Sequence, residues 1–179
     1  MRPLLKSFSY AWSGLLHCLR YERNMRIHLV TVVYMYSLLL FFRDFFVVSK
    51  VELTIIFIAN ALVFMSELLN TAIEATINLL ENNYNKMAKI AKDTAAAAVL
   101  TGAFFAFAIG IVVLWQPDAF KKMYAYYLDN PWMLAVLALS LAGALIYIFA
   151  GPVAIGRFFK RKKGGLDKPQ PPEEIDRYD

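Results

Sequence analysis

The sequence predicts an all-α membrane protein: a polytopic bundle of four spans, preceded by an amphipathic helix that lies on the membrane surface. One observation behind this prediction is composition, because 59% of the 179 residues are hydrophobic and only 18% are charged. Such values are atypical of a soluble domain. The other is order, since apolar runs long enough to cross a ~30 Å hydrocarbon core alternate with short polar segments.

Residues 1–26 are predicted to form the interfacial helix. Apolar side chains recur there at helical spacing, and the rings of Tyr10 and Trp12 are of the kind found at interfacial depth. The segment lacks a clean apolar core followed by a small-residue cleavage site, so we expect no secretory signal. The single cysteine, Cys18, excludes an internal disulfide framework and is typical of a small packing residue.

The four apolar runs divide the rest of the chain. They cover approximately residues 27–42, 51–80, 94–115 and 131–151. Before the second run, Ser49 and Glu52 have the spacing of a capping box, which starts a helix. The resulting divisions are the surface helix (1–26), a three-span core (27–116), a connector with the fourth span (117–156), and a basic, Pro-rich tail expected to be disordered and cytoplasmic (157–179).

A polar stripe on the second run points to function. Glu67, Asn70 and Glu74 are spaced i, i+3 and i+7, so they share one helix face, which Asn60 begins and Asn78 and Glu81 continue. A charge at the bilayer centre costs roughly 2.5 kcal/mol or more, and such residues usually mark function. Alternatively, the acids pair with basic residues and only hold the bundle together. Two acids flanking an amide favour a cation site, and oxygen ligands are what Mg²⁺ prefers.

Basic residues indicate the orientation, because positively charged segments stay in the cytoplasm. Along the chain, the N-terminal segment carries five Lys or Arg, the three loops carry two, three and two, and the tail carries seven. Both termini are therefore predicted to be cytoplasmic. The net charge of +5 follows from these flanking segments and predicts no nucleic-acid partner. The same orientation brings four charged residues to one membrane depth: Glu22, Glu74, Lys92 and Asp93.

Acids, an amide and a lysine at a cytoplasmic interface suit phosphoryl transfer. Metal ions neutralise the phosphates, a lysine binds them, and a carboxylate accepts the proton of the attacking hydroxyl. The chain contains no glycine-rich phosphate loop and no soluble-kinase signature. The acceptor predicted by these features is a lipid alcohol, delivered by the membrane itself.

Four motifs resemble the small bacterial integral-membrane diacylglycerol kinase family, which includes the undecaprenol kinases. They are SFSYAWSGL at Ser7 to Leu15, ERNMRIH at Glu22 to His28, ELLNTAIEATINL at Glu67 to Leu79, and AKIAKDTAAAAVL at Ala88 to Leu100. Their order, spacing and topology agree with the family over about residues 5–116. The fourth span and the basic tail lie outside the family's three-span pattern.

The resemblance implies a Mg²⁺-dependent, ATP-using lipid kinase in the bacterial cytoplasmic membrane, assembled as a homotrimer with shared active sites. It implies that Glu67 is the catalytic base and that Asn70 is the amide that holds the acidic cluster in geometry. It also implies that Glu22 and Glu74 hold the metal and, with Lys92 and Asp93, bind the nucleotide. Weaker candidates for the site are Ser7, Tyr10 and Asn78.

Two departures from the family pattern occur within the motifs. The family usually has an aspartate where this chain has Asn78, which would weaken nucleotide or metal binding unless Glu81 compensates. Ala97 stands where a glycine is common, and it narrows the groove slightly. The surroundings of ERNMRIH favour undecaprenol as substrate, with diacylglycerol as the alternative. Two other classes are a non-catalytic membrane scaffold and a proton-coupled transporter, although the sequence shows no inverted repeat or broken helix of the kind a transporter has.

The predicted topology can be tested by cysteine-accessibility labelling. A cysteine introduced at Lys162 should react with a membrane-impermeant reagent only after the membrane is opened, because the tail is expected in the cytoplasm. Cysteines placed in the first and third loops should react from outside. Labelling of the Lys162 position from outside in sealed cells would contradict the prediction.

Overall fold

The computed structural model describes residues 2–80 and 85–163. All regular elements in these two ranges are helices, which confirms the all-α prediction. In chain order they are α1 (Arg2–Tyr21), α2 (Arg23–Phe41), α3 (Lys50–Leu80), α4 (Lys86–Leu114), α5 (Pro117–Asp129) and α6 (Trp132–Lys163), the last broken at Gly151. Four of them are long and apolar enough to cross a membrane, namely α2, α3, α4 and the Trp132–Phe158 part of α6.

Helix boundaries differ from the predicted ones where a local cap was not recognised. The second helix follows α1 after a break of one residue, at Glu22, so it begins before the apolar run does. The start of α4 lies well before residue 94, because the Asn85 side chain accepts hydrogen bonds from the backbone N–H groups of Met87 (2.9 Å) and Ala88 (3.4 Å). The connector contains α5, and α6 continues to Lys163; residues 164–179 of the expected tail lie outside the described ranges.

The start of α3 agrees with the capping box read from the sequence. The Ser49 backbone N–H donates to Glu52 Oε2 at 2.7 Å, and the Glu52 N–H donates to Ser49 Oγ at 3.2 Å. Two otherwise unpaired donors of the first turn are thereby satisfied. From this start α3 runs for 31 residues and carries the polar stripe along its length.

On one side, α2 packs antiparallel against α3. His28 Nε2 lies 3.2 Å from Glu67 Oε1, and two turns further along α2 the Tyr36 hydroxyl accepts a hydrogen bond from Asn60 Nδ2 at 3.1 Å. Positions further from Glu22 on α2 therefore face positions closer to the start of α3. The register places Glu22 beside the far end of the acidic stripe, close to Glu74.

The opposite side of α2 packs against α6. Arg26 Nε donates to the Ile148 carbonyl at 3.1 Å, and two turns away the Tyr34 hydroxyl donates to Ser140 Oγ at 2.9 Å. Residues 26 and 34 face away from residues 28 and 36, because two residues correspond to roughly half a helical turn. The spans therefore lie in the spatial order α6, α2, α3, α4, and α1 crosses their ends in contact with α2, α3 and α6.

At the end of the bundle away from α1, α5 folds back over the loop after α2. Phe42, Phe46 and Ala119 form a buried cluster there, with aromatic edges of Tyr126 and Tyr127 packed against Phe42. The Gln116 amide, at the N-cap of α5, joins this loop to the end of α4. Its Oε1 accepts from the Val47 N–H at 3.0 Å, and its Nε2 donates to the carbonyls of Val47 (3.0 Å) and Val113 (3.1 Å).

Replacement of this amide should loosen the loop end of the bundle. We expect Gln116→Ala to lower the free energy of unfolding by about 0.5–1.5 kcal/mol, because the exposed backbone groups of Val47 exchange their protein partner for water. Lys121→Ala, which removes only an exposed pair with Asp118, should cause no measurable change. Thermal and denaturant unfolding in detergent measure both variants, and equal stabilities would contradict the role given to Gln116.

Candidate active site

The buried carboxylate of Glu67 is the centre of the candidate site. Its residue is 2% exposed on α3, and its partner is His28 of α2. The two side chains are within ion-pair distance, at 3.2 Å, but Oε1 of Glu67 receives no hydrogen bond from the described residues. A buried carboxylate is costly unless it is paired and hydrogen-bonded. Glu67 is therefore placed out of water with only part of its acceptor capacity used.

Asn70 and Glu74 continue the stripe one and two turns further along α3. The Asn70 side-chain Nδ2 donates to Glu74 Oε1 at 2.9 Å, which fixes the orientation of the amide. Asn70 Oδ1 is then a second buried acceptor without a hydrogen-bond partner within the described ranges. Buried polar atoms in native structures are normally paired. Two unused oxygens one turn apart are therefore available to accept a donor or to bind a cation.

Glu22 joins this stripe from the corner between α1 and α2. The residue has extended backbone dihedrals and is half-buried at the break between the two helices. Burial raises the pKa of its carboxyl above the ordinary value, and the neighbouring carboxylates of Glu74 and Glu67 raise it further. His17 and Arg26 act in the opposite direction. Three acids from two chain segments thus repel one another at one end of the bundle, which is the arrangement a divalent cation would relieve.

The surface helix docks on the same stripe. Cys18 of α1 is buried, and its thiol lies near the side chain of Thr71 of α3, the residue that follows Asn70. Burial raises the pKa of the thiol, and the charges of Glu22 and Glu67 add to this effect. The cysteine therefore serves as a small, neutral packing residue where α1 meets α3.

Lys92, Asp93 and Asn78 lie beyond Glu74, where α4 faces α3. Lys92 Nζ donates to Asn78 Oδ1 at 2.6 Å, so the asparagine that replaces the family aspartate receives the lysine. Asp93 instead pairs with Lys89 at 3.4 Å on an exposed face. Glu81, considered as a compensating acid, lies outside the described residues.

Ser7 and Tyr10 are exposed on α1, and Tyr10 is 71% exposed with no hydrogen bond or ring contact in the described part of the chain. The structure thus brings Glu22, Glu67, Asn70 and Glu74 together and places Lys92 with Asn78 beside them. Asp93 and Tyr10 make no contact with the acids in the described ranges.

Sequence reasoning missed His28 and Arg26 as members of this region. Both belong to the ERNMRIH motif, and both lie where α2 enters its apolar run. Ionisable residues within a span are functional candidates by default. That rule applied to the first predicted span, which begins at about residue 27, would have identified His28, whereas Arg26 lies just before that span and carries no such signal.

The region with these features matches known proteins. The sequence model of the family described as Prokaryotic diacylglycerol kinase matches residues 9–114. The chain belongs to the prokaryotic diacylglycerol kinase family. It is 36% identical over 115 residues to a protein named diacylglycerol kinase from Synechocystis sp.. The aligned residues make up 64% of this chain and 63% of that protein. It is 37% identical over 114 residues to a protein named undecaprenol kinase from Bacillus subtilis. The aligned residues make up 63% of this chain and 89% of that protein.

The chain therefore spans slightly less than two thirds of the Synechocystis relative's length. No solved structure matches the chain. The motifs, the four spans and the family together establish a multi-pass membrane protein of the prokaryotic diacylglycerol kinase family. The matched residues end with α4, so α5 and α6 lie outside the matched region.

The donor set of this family member fits Mg²⁺. Carboxylates of Glu22 and Glu74 and the unused Asn70 Oδ1 are hard oxygen ligands of the kind that Mg²⁺ prefers. Within the described residues, no three His, Cys, Asp or Glu side chains form a closed metal cage. Mg²⁺ at nucleotide sites needs no such cage, since one or two carboxylates, waters and substrate phosphates suffice.

The raised pKa of Glu22, caused first by burial and then by the charges of Glu74 and Glu67, predicts an effect on stability. Because its pKa is raised in the folded state, folding stability falls as pH rises from the ordinary carboxyl value to the raised one, and stays lower above it. Without divalent cations, Glu22→Gln should therefore unfold at a higher temperature than the parent at about pH 7, and the difference should vanish near pH 4. Asp44→Asn, at an exposed carboxylate, should show no such gain. Equal unfolding temperatures for Glu22→Gln and the parent at neutral pH would contradict the raised pKa of Glu22.

Proposed function

We propose that this chain is an integral-membrane lipid kinase that transfers the γ-phosphate of ATP to a lipid hydroxyl, with undecaprenol as the substrate. The observation that carries the proposal is the buried Glu67 carboxylate beside the unused Asn70 Oδ1, at the membrane end where Glu22 and Glu74 repel each other. Membership of the prokaryotic diacylglycerol kinase family supports the reaction class.

In this proposal each polar residue of the stripe has a separate task. Glu67, shielded from water, accepts the proton of the lipid hydroxyl as the hydroxyl oxygen bonds to the γ-phosphorus. The bond from that phosphorus to the β–γ bridging oxygen breaks, and its electron pair leaves with ADP. Asn70 keeps Glu74 oriented through the 2.9 Å hydrogen bond. The contact with His28 holds the Glu67 carboxylate between α2 and α3.

Nucleotide binding falls to the residues nearer the end of the bundle. Glu22 and Glu74 would hold Mg²⁺, which when bound neutralises phosphate charge. Lys92 lies within reach of Asn78 on the same side and supplies a mobile positive charge for a phosphate. In one chain Asp93 pairs with Lys89 and stands apart from the acids. A homotrimer in which one protomer's α4 completes its neighbour's acidic stripe would bring Asp93 to the nucleotide.

Two relatives support different lipids. The relative named undecaprenol kinase is matched over 89% of its length, whereas the relative named diacylglycerol kinase is matched over 63%. Both alignments cover nearly the same length of this chain, 115 and 114 residues, so the relatives alone do not choose between the lipids. The ERNMRIH motif and its surroundings favour undecaprenol, and diacylglycerol is the second candidate. We place the protein in the bacterial cytoplasmic membrane with both termini in the cytoplasm, where ATP is available.

Other classes explain less of the site. A non-catalytic scaffold accounts for the Glu67–His28 pair but gives no use for the unpaired Asn70 oxygen. A proton-coupled transporter is expected to have broken helices beside its acid near the midplane. The one broken helix among the described elements is α6, and its break lies beside Arg26 rather than beside Glu67.

The function is tested by ATP-dependent phosphorylation of lipids by the purified full chain in detergent. Undecaprenol and diacylglycerol are offered side by side, with and without Mg²⁺. We expect Mg²⁺-dependent product from both reactions or from undecaprenol alone, with undecaprenol preferred. Faster phosphorylation of diacylglycerol would assign the second candidate. Absence of product from either lipid, with folded protein, would overturn the kinase proposal.

Glu67 and Glu74 should behave differently when neutralised. Glu67→Gln keeps the shape of the side chain but cannot accept a proton, so kcat should fall about 10²–10⁴-fold with nucleotide affinity nearly unchanged. Glu74→Gln should weaken Mg-ATP binding as well as turnover. Steady-state kinetics and binding of an ATP analogue separate the two.

Stability provides the control for that comparison. Glu67→Gln should remain folded, because the glutamine side chain keeps the size of the glutamate and can still hydrogen-bond to His28. If Glu67→Gln retains more than about a tenth of the parental rate, a value outside the range for loss of a general base, Glu67 does not act as the base.

A further inference from the structure

Arg26 is a buried cation with two backbone partners on different helices. It is only 6% exposed, although arginine stays charged and is rarely buried without partners. Its Nε donates to the carbonyl of Ile148 in α6 at 3.1 Å, and its Nη1 donates to the carbonyl of Arg20 in α1 at 3.0 Å. One side chain of α2 therefore joins the surface helix to the fourth span.

The carbonyls that receive Arg26 are both left free by the ends of helices. In a continuous helix the Ile148 carbonyl would accept from the N–H of residue 152, but Pro152 has none. The Arg20 carbonyl lies in the last turn of α1, where carbonyls lack intrahelical partners. Cationic side chains are favoured at such C-terminal ends, because they bind the exposed carbonyls and oppose the helix dipole.

Gly151 makes room for this contact. Its backbone is in the left-handed region, with φ of 70°, which breaks α6 and which residues with a Cβ rarely adopt. A Cβ at this position would lie 3.2 Å from Arg26 Cζ and 3.3–3.4 Å from its two terminal nitrogens. Gly151 and Pro152 together thus form a seat for the guanidinium at the end of the fourth span.

Arg26 is also bonded to Glu22 through the backbone. Arg26 lies one helical turn after Glu22, and its backbone N–H donates to the Glu22 carbonyl at 3.4 Å in the first turn of α2. The Arg20 carbonyl lies on the other side of Glu22 in the chain. Arg26 therefore contacts the residues on both sides of the break at Glu22. Through its bond to the Ile148 carbonyl, it also connects this break to α6.

We propose that the fourth span is a positioning element of the kinase site: its break at Gly151 seats Arg26, which fixes the corner that holds Glu22 toward Glu74. This inference rests on the proposed function. It assigns a role to α6, which lies outside the matched family core. Arg26 acts through Glu22 and is a positioning residue, so its loss should affect the metal–nucleotide complex rather than the lipid.

The first test compares two glycines of the same helix in the purified full-length protein. Gly151→Ala forces a Cβ against the guanidinium, whereas Gly143→Ala adds one where nothing lies within 4 Å. Binding of a non-hydrolysable ATP analogue with Mg²⁺ is measured for both, together with KM for Mg-ATP and for the lipid. We expect about tenfold weaker nucleotide binding for Gly151→Ala, the size of one lost hydrogen bond to a charged group. KM for the lipid should stay unchanged.

Arg26→Lys is the second test and keeps the charge near Glu22. A lysine ammonium lacks the planar fork that reaches both carbonyls, so this variant should also weaken binding of the analogue. The double variant Gly151→Ala/Arg26→Lys should be no weaker than the worse single variant, because both changes break one contact. Parental affinity in Arg26→Lys, or multiplied effects in the double variant, would overturn the proposal.

Each outcome separates the inference from the proposed function. If the parent phosphorylates lipid and Gly151→Ala binds the analogue as Gly143→Ala does, the positioning role fails and the kinase stands. If Gly151→Ala lowers the unfolding temperature but leaves nucleotide affinity unchanged, the positioning role also fails, because a merely structural contact has that effect. If the parent neither binds the analogue nor phosphorylates lipid, both proposals fail.

Discussion

Burial of the Glu67 carboxylate is the constraint on which the rest of the bundle depends. An acid removed from water in an apolar bundle must find a partner or remain protonated. His28 supplies one contact from the neighbouring helix, and this contact is possible only in the antiparallel register that also pairs Tyr36 with Asn60. The same register sets Glu22 beside Glu74. One costly side chain therefore determines how α2 aligns with α3, and that alignment gathers the acids.

The second organising feature is the position of α2 between two helices. Its opposite faces carry separate sets of polar contacts, one to α3 for chemistry and one to α6 for anchorage. Membrane helices gain little from apolar burial against each other, since lipid is equally apolar, so packing and polar contacts set their arrangement. Among the described residues, the polar contacts of α2 with α3 and α6 are consistent with a single register for each helix pair. The hairpin of α3 and α4 depends more on close packing, as where Gly102 lies against Ser66 and Val63.

Much of this could be predicted from the sequence, because the strongest signals were local. Hydropathy gave four spans, and the spacing of Ser49 and Glu52 gave the start of α3. The shared face of Glu67, Asn70 and Glu74 followed from helical periodicity alone. The start of α4 was placed too late because Asn85 was not recognised as a cap. The partners of Arg26 and His28 lie on distant segments, so only the tertiary arrangement reveals them.

The contact between Arg26 and α6 is made to a main-chain oxygen, which every amino acid carries. The side chain of residue 148 therefore does not decide this contact, provided that the chain after it still turns away at a glycine and a proline. An appended helix that attaches in this way imposes almost no side-chain signature on either partner. Relatives could gain or lose such a segment while their core motifs stayed the same. Its trace in a set of sequences would be a Gly-Pro pair at a fixed distance from the chain's last apolar run, rather than any pattern of matched charges.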